Sequence, residues 1–168
     1  MRKLIVCLLL VVLLVPMFAK GEDPTAHEPF YFAFVQLLED NGVELNDGFD
    51  LRMFSGSKIS YNPVDGLAFI ADYANGDVPT FEIKLYGGTY AETHGEQILS
   101  LFIWFFGDGA HKQSAKDVES AQNTLLELFA STEKNDEGDL EARMQYGKAD
   151  FTLLDSFGDF ILRAQFSE

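Results

Sequence analysis

The sequence predicts an α+β fold, with helices packed on one face of an antiparallel sheet. Three segments carry apolar residues at helical spacing, and the segments between and after them alternate apolar and polar residues at period two. Turn-forming residues separate the alternating segments. The expected order is helix, four strands, two helices and three strands, in a single acidic domain over residues 22–168.

The first helix is expected to end at Asp40, because Asn41-Gly42 follows and glycine suits the left-handed position after a helix. Thr25 and Glu28 stand at capping-box spacing, although Pro29 is an alternative marker of the first turn. The apolar residues at helical spacing are Phe30, Tyr31, Phe34, Val35, Leu37 and Leu38.

Four strands are expected next, because apolar and polar residues alternate between Phe49 and Leu85. Asn75-Gly76 is the strongest short hairpin signal in the chain. The strands are expected at residues 49–53, 59–61, 67–73 and 80–85. Consecutive strands joined by short turns predict an antiparallel meander with one buried face.

Two helices follow the meander. Thr93 and Glu96 form a capping box, and Gly107 is expected to close this helix. Residues 98–106 are apolar on almost every side, which predicts a buried core helix. Ser114 is expected to cap the second helix, whose apolar stripe makes it amphipathic.

The C-terminal part is expected to begin with an acidic loop from Glu133 to Glu141. Period-two alternation then returns in residues 141–146, 151–153 and 160–166. This pattern predicts three further strands.

The N-terminus has the pattern of a cleavable secretory signal peptide, expected at residues 1–21. Two basic residues precede the unbroken apolar run 4–15, and small residues follow it. Cleavage after Gly21 is preferred, and cleavage after Ala19 is the alternative. An uncleaved anchor is less favoured, because the apolar run is shorter than the roughly 20 residues of a membrane-spanning helix. No stable membrane span is expected after cleavage.

Cys7 is the only cysteine, and it lies within the apolar run of the predicted signal peptide. The remaining domain would contain no disulfide, and the sequence has no Asn-x-Ser/Thr acceptor for glycosylation. An exported domain of this kind is typical of a bacterial protein. The expected location is therefore the periplasm or the secreted medium.

The charge of the chain is strongly negative. It is −15 overall, and the domain after residue 21 keeps nine basic and 27 acidic residues, which gives −18. Binding of nucleic acid or of an anionic membrane surface requires clustered Lys and Arg, so we expect neither. A basic protein partner would instead be attracted by the long-range field.

Catalytic signatures are absent from the sequence. No Gly-x-Ser-x-Gly elbow occurs, and no spacing joins His with other metal ligands. His27, His94 and His111 are interpreted as solvated residues near helix ends. The sequence therefore predicts a protein without catalytic activity, metal or cofactor.

The favoured function is an exported binding protein that engages a basic protein partner, of the inhibitor or immunity type. A carrier of a small hydrophobic ligand is the first alternative, and a hydrolase with an unrecognised carboxylate pair is the second. The acidic partner surface would consist of Glu133, Asp136, Glu137, Asp139 and Glu141.

The aromatic residues of the first two helices are the candidates for a hydrophobic ligand site. Phe32 falls off the main apolar stripe of its helix, and its exposure would mark a contact surface. The candidate ligand-binding residues are Phe30, Phe32, Phe34, Trp104 and Phe105.

Overall fold

The computed structural model describes five stretches of the chain. They are residues 26–74, 79–87, 89–108, 115–156 and 159–166. Four sequence predictions lie outside the described residues: the signal peptide with Thr25, the Asn75-Gly76 turn, the setting of His111 and the Ser114 cap.

Eight strands form one antiparallel sheet, which confirms the predicted α+β class. The spatial order is β1-β2-β3-β4-β8-β7-β6-β5, so two four-stranded meanders meet at their last strands. The strands are β1 (Arg52–Ser55), β2 (Lys58–Val64), β3 (Leu67–Asp72), β4 (Thr80–Leu85), β5 (Glu133–Lys134), β6 (Leu140–Tyr146), β7 (Ala149–Ser156) and β8 (Asp159–Phe166).

The centre of the sheet is the antiparallel pair β4 and β8, where Ile83 lies opposite Leu162. The same row continues to Phe69 on β3 and to Leu153 on β7. All four side chains are fully buried, which places the core on one face of the sheet. One helix precedes the first meander and two helices precede the second.

Three helices cover that buried face. Tyr31 stacks on Tyr61 with ring centroids 3.8 Å apart, and Phe34 lies 5.7 Å from Phe69, so the first helix covers β2 and β3. The second contacts β4, β7 and β8, and the third contacts β6. No helix in the described residues has the length and apolarity to span a bilayer. The helices are α1 (Glu28–Asp40), α2 (Thr89–Asp108) and α3 (Ala115–Ala130).

The ends of α1 follow the sequence signals. Pro29 lies in the first turn, and His27 at the N-cap makes no side-chain capping bond, so the proline signal is confirmed. Asn41 is the C-cap residue. Gly42 has a φ of +78° and donates its N–H to Glu39, which confirms the predicted stop.

The predicted limits of α2 are wrong at both ends. The helix begins at Thr89, so Thr93 lies inside it and its hydroxyl hydrogen-bonds with the Nδ1 atom of His94, 2.8 Å away. Gly107 lies in the last turn and does not follow the helix. Its backbone is in contact with the turn at Gly147, where a side chain would not fit.

The acidic segment is not wholly a loop. Glu133 and Lys134 form β5, which pairs with the first residues of β6, so the C-terminal part has four strands and not three. The side-chain oxygen of Asn135 accepts hydrogen bonds from the backbone N–H groups of Glu137 and Asp139. A side chain that completes a turn in this way allows two charged residues to form an edge strand.

Strand β1 is shorter than predicted and begins at Arg52, not near Phe49. Leu51 donates its N–H to the carbonyl of Gly48 at 2.9 Å, and Gly48 has a φ of +76°. A tight turn therefore occupies the first residues of the alternating pattern.

Candidate functional site

A cavity of about 380 Å³ lies between the start of α1, the end of α2, the β6–β7 turn and the end of β8. We call it the phenylalanine cavity, because four of its nine lining residues are Phe. Its lining residues are Pro29, Phe30, Ala33, Phe105, Phe106, Gly107, Asp108, Lys148 and Phe166.

Phe30 forms one wall. Its ring centroid lies 6.4 Å from that of Phe106 and 5.9 Å from that of Phe166, so the side chain faces α2 and β8. It nevertheless remains 37% exposed. A large aromatic side chain that packs on one side and is open on the other is suited to contact a ligand.

Phe106 forms the floor and joins the cavity to the core. Its ring is buried, 4.6 Å from Phe102 and 4.7 Å from Phe81. Phe105 meets it edge-on at 4.9 Å. Because these rings are fixed by their neighbours in the core, the floor is formed before any ligand arrives.

The back wall is a contact between two backbones. Gly107 accepts a hydrogen bond from the N–H of Lys148 at 2.9 Å, which fastens the end of α2 to the β6–β7 turn. A Cβ atom at Gly147 would lie 2.2 Å from the Gly107 carbonyl oxygen. Only glycine allows the helix and the turn to approach this closely.

The polar side chains of the cavity are Asp108 and Lys148. Lys148 is exposed and Asp108 is half-buried. The other seven lining residues carry no charged side chain, so the lining is mainly apolar.

The structure divides the five predicted ligand residues into three groups. Phe30 and Phe105 line the cavity. Phe34 and Trp104 are buried in the core, and the indole nitrogen of Trp104 has no hydrogen-bond partner in the described part of the chain. Phe32 is exposed on another side of α1.

Sequence reasoning missed Phe106 and Phe166 as lining residues. Phe106 ends an apolar segment in which periodicity does not distinguish one side from another. Phe166 is the last apolar residue of the final period-two pattern, and its position beside α2 follows from the pairing of β8 with β4. That pairing is a tertiary feature, so the local pattern gives no signal for it.

The predicted acidic surface lies at the β5–β6 edge of the sheet. Glu133, Asp136 and Glu137 are exposed, while Asp139 and Glu141 are partly buried. Hydrogen bonds from Arg143 and Asn135 hold the pKa of Glu141 below its usual range. Three carboxylates of the surface thus remain open to a partner.

No group of three His, Cys, Asp or Glu side chains in the described residues is arranged to hold a metal ion. Glu82 is the one buried carboxylate there. Arg163 donates to it from Nε at 2.8 Å, and Lys58 Nζ lies 3.4 Å away. Both of its oxygens therefore contact cationic groups.

The interpretation of His27 as a solvated residue is wrong. His27 is fully buried, and its Nε2 and Nδ1 atoms lie 2.7 Å and 3.0 Å from the hydroxyls of Tyr61 and Tyr73. In its neutral form the imidazole has one donor and one acceptor nitrogen, so one hydroxyl would donate and the other would accept. Two tyrosines more than 30 positions away provide these contacts, so no local signal could reveal them. His94 is partly exposed.

Comparison of the chain with protein-family models, curated proteins and solved structures finds no match.

Proposed function

We propose that this protein binds a small apolar ligand in the phenylalanine cavity. The observation that carries the proposal is the cavity itself, with about 380 Å³ of space and four Phe in its lining. Small-molecule sites are mostly apolar and measure roughly 300–1,000 Å³. The cavity is at the lower end of that range, so the ligand is compact.

The chemistry of the lining defines the ligand further. An aromatic or branched aliphatic body would pack against Phe30, Phe105 and Phe106. Any polar group would be placed beside Asp108 and Lys148, where it keeps contact with water. We propose binding without turnover, as the sequence analysis favours. Glu82, a buried carboxylate, has Arg163 as a hydrogen-bond donor, which supports a structural role for it.

The test uses a neutral fluorescent apolar probe, 1-N-phenylnaphthylamine. Ala33→Phe would fill the cavity from an exposed position on α1, without removing a core side chain. Ala130→Phe is the matched control, because Ala130 is an exposed helical alanine of α3 that does not line the cavity.

We expect the unaltered protein and Ala130→Phe to bind the probe with similar affinity. Ala33→Phe should lower the affinity by about tenfold or more, since it occupies the space of the ligand. Equal binding by all three proteins would place the probe elsewhere and overturn the proposal.

We propose as a second candidate that a basic protein binds the β5–β6 edge. The observations in favour are the charge of −15 and the exposed side chains of Glu133, Asp136 and Glu137. Replacement of these three residues by their amides should weaken capture of a basic partner and reduce its salt dependence. Salt-independent capture would contradict this candidate.

We place both activities outside the cytoplasm, in the periplasm or the medium. The support is the signal-peptide pattern of residues 1–21.

A further inference from the structure

The two edges of the sheet differ in a way that bears on function. β5 is a two-residue strand of charged residues, Glu133 and Lys134. Short, charged strands prevent a sheet from pairing with other chains. β1, at the other edge, has four residues, and every one of them is exposed.

Three of the exposed side chains at this second edge are apolar. Leu51 is 70% exposed, Met53 50% and Phe54 67%. Met53 lies opposite Ser60 on the open face of the sheet, whereas Phe54 lies opposite Ile59 on the helix face. We call Leu51, Met53 and Phe54, with Arg52 between them, the β1 edge.

Phe32 extends the apolar surface on the helix side. Phe30 faces α2, and Phe32 lies about 200° further round the same helix, since each residue turns it by roughly 100°. Phe32 is therefore directed toward the β1 side, and it is 44% exposed.

The backbone of β1 has free pairing positions. A two-residue turn, Gly56 and Ser57, joins Ser55 to Lys58, so this pair is hydrogen-bonded across the hairpin. By the alternation of antiparallel ladders, Arg52 and Phe54 direct their N–H and C=O groups outward. In the described part of the chain, β2 is the one strand that pairs with β1.

The charge beside the edge is negative. Glu44, Asp47 and Asp50 precede β1 and are exposed. The cationic group of Arg52 is bound to Glu28 at the start of α1. The surface next to the apolar side chains therefore attracts Lys and Arg.

We propose that the β1 edge accepts an extended segment of a basic protein as a ninth strand. The segment would be apolar at alternate positions and would carry Lys or Arg between them. A second copy of this chain is the poorer occupant, because two chains of charge −15 repel each other. Strand addition provides main-chain hydrogen bonds for affinity and side-chain contacts for selectivity. The proposal is independent of the cavity, which lies on the other side of α1.

The probe is a fluorescein-labelled peptide of alternating Lys and Val, measured by fluorescence anisotropy at low ionic strength. The first control is the same peptide with N-methyl groups on alternate residues, made in both registers. Each N-methyl peptide keeps the charge of the probe and loses the main-chain N–H donors along one of its two edges. The second control is a peptide of alternating Glu and Val.

Two variants test the protein side. Phe54→Pro removes an outward N–H without removing a ladder bond, and Phe54→Ala removes the side chain alone. The triple amide variant of Glu133, Asp136 and Glu137 lowers the negative charge at the opposite edge. Circular dichroism monitors the fold, and the N-methyl peptides require no variant.

We expect the Lys-Val peptide to bind. One N-methyl register should weaken binding by about tenfold, through the loss of two main-chain hydrogen bonds. Phe54→Pro should weaken binding by about threefold to tenfold, through the loss of one main-chain hydrogen bond and of the Phe side chain. Phe54→Ala should have a smaller effect, and the triple amide variant should retain most of the affinity. Equal binding of both N-methyl peptides, or of the Glu-Val peptide, would overturn the proposal. So would a dimer in sedimentation velocity that Phe54→Pro dissociates, because the occupant would then be a second copy.

Discussion

Gly107 at the end of α2 and Gly147 in the β6–β7 turn are in direct backbone contact. A Cβ atom at Gly147 would lie 2.2 Å from the Gly107 carbonyl oxygen, and one at Gly107 would lie 2.3 Å from the Tyr146 ring. The N–H of Lys148 donates to the same carbonyl at 2.9 Å. This contact holds together two walls of the phenylalanine cavity.

Replacement of Gly147 by Ala should therefore be much more harmful than an ordinary change in a turn. Gly56 is the matched control, because its φ of +62° resembles the +59° of Gly147 and it has open space where a Cβ would be placed. We expect Gly56→Ala to lower the free energy of unfolding by about 1–2 kcal/mol, from its left-handed backbone alone. Gly147→Ala should lower it by about 3–5 kcal/mol, because overpacking against backbone is added. Urea unfolding measures both, and equal losses would contradict the close contact.

His27 should contribute to stability through its two tyrosine partners. His27→Leu replaces the imidazole by an apolar side chain of similar size and removes both hydrogen bonds to Tyr61 and Tyr73. We expect a loss of about 1–3 kcal/mol in the free energy of unfolding, since buried hydroxyls lose a partner. His94→Leu is the control at a partly exposed position, with an expected change of less than about 0.5 kcal/mol. Similar values for the two variants would argue against a buried His27.

The stacked pair Tyr31 and Tyr61 should make the protein sensitive to alkali. Burial raises the pKa of Tyr31 and of Tyr61, with smaller contributions from Tyr61 and Asp50 at the first and from Glu28 at the second. Because the folded state holds these protons more tightly than the unfolded chain, the stabilisation is complete below pH 10.0, the usual value. It is lost as pH rises through the folded pKa values.

Tyrosinate absorbance followed together with circular dichroism tests this behaviour. Of the six tyrosines, Tyr31 and Tyr61 should ionise only as the protein unfolds, and Tyr31→Phe should remove one late-ionising group. Ionisation of all six near pH 10 with a native circular dichroism spectrum would be the contrary result.

The mature protein should begin at Glu22. Its intact mass, measured after expression in a bacterial host with export intact, should correspond to loss of residues 1–21. A mass that begins at Lys20 would select the alternative cleavage site. A chain that retains residues 1–21 in a membrane fraction would support the uncleaved anchor instead.

Local periodicity predicts much of this fold and little of the site. The period-two pattern located seven of the eight strands, because alternation reflects one covered and one open face. It did not predict β5, two charged residues that are joined to β6 by a turn in which the Asn135 side chain accepts two hydrogen bonds. The capping box at Thr93 predicted the wrong start for α2, because the helix begins four residues earlier, at Thr89.

The aromatic residues show why the site was harder to predict. Phe30, Phe32 and Phe34 lie within five positions of each other, yet one lines the cavity, one is exposed and one is in the core. Helix periodicity predicts that the three side chains point in different directions. What each side chain contacts depends on where α2, β8 and the sheet edge lie. The role of a Phe thus depends on long-range packing that no local pattern contains.

Native mass spectrometry of the exported protein tests the central claim, the apolar ligand, most directly. The unaltered protein and Ala130→Phe should retain a small apolar mass at one per chain, and Ala33→Phe should lack it. Retention of the same mass by Ala33→Phe, or a bare chain in all three preparations, would contradict a ligand in the phenylalanine cavity.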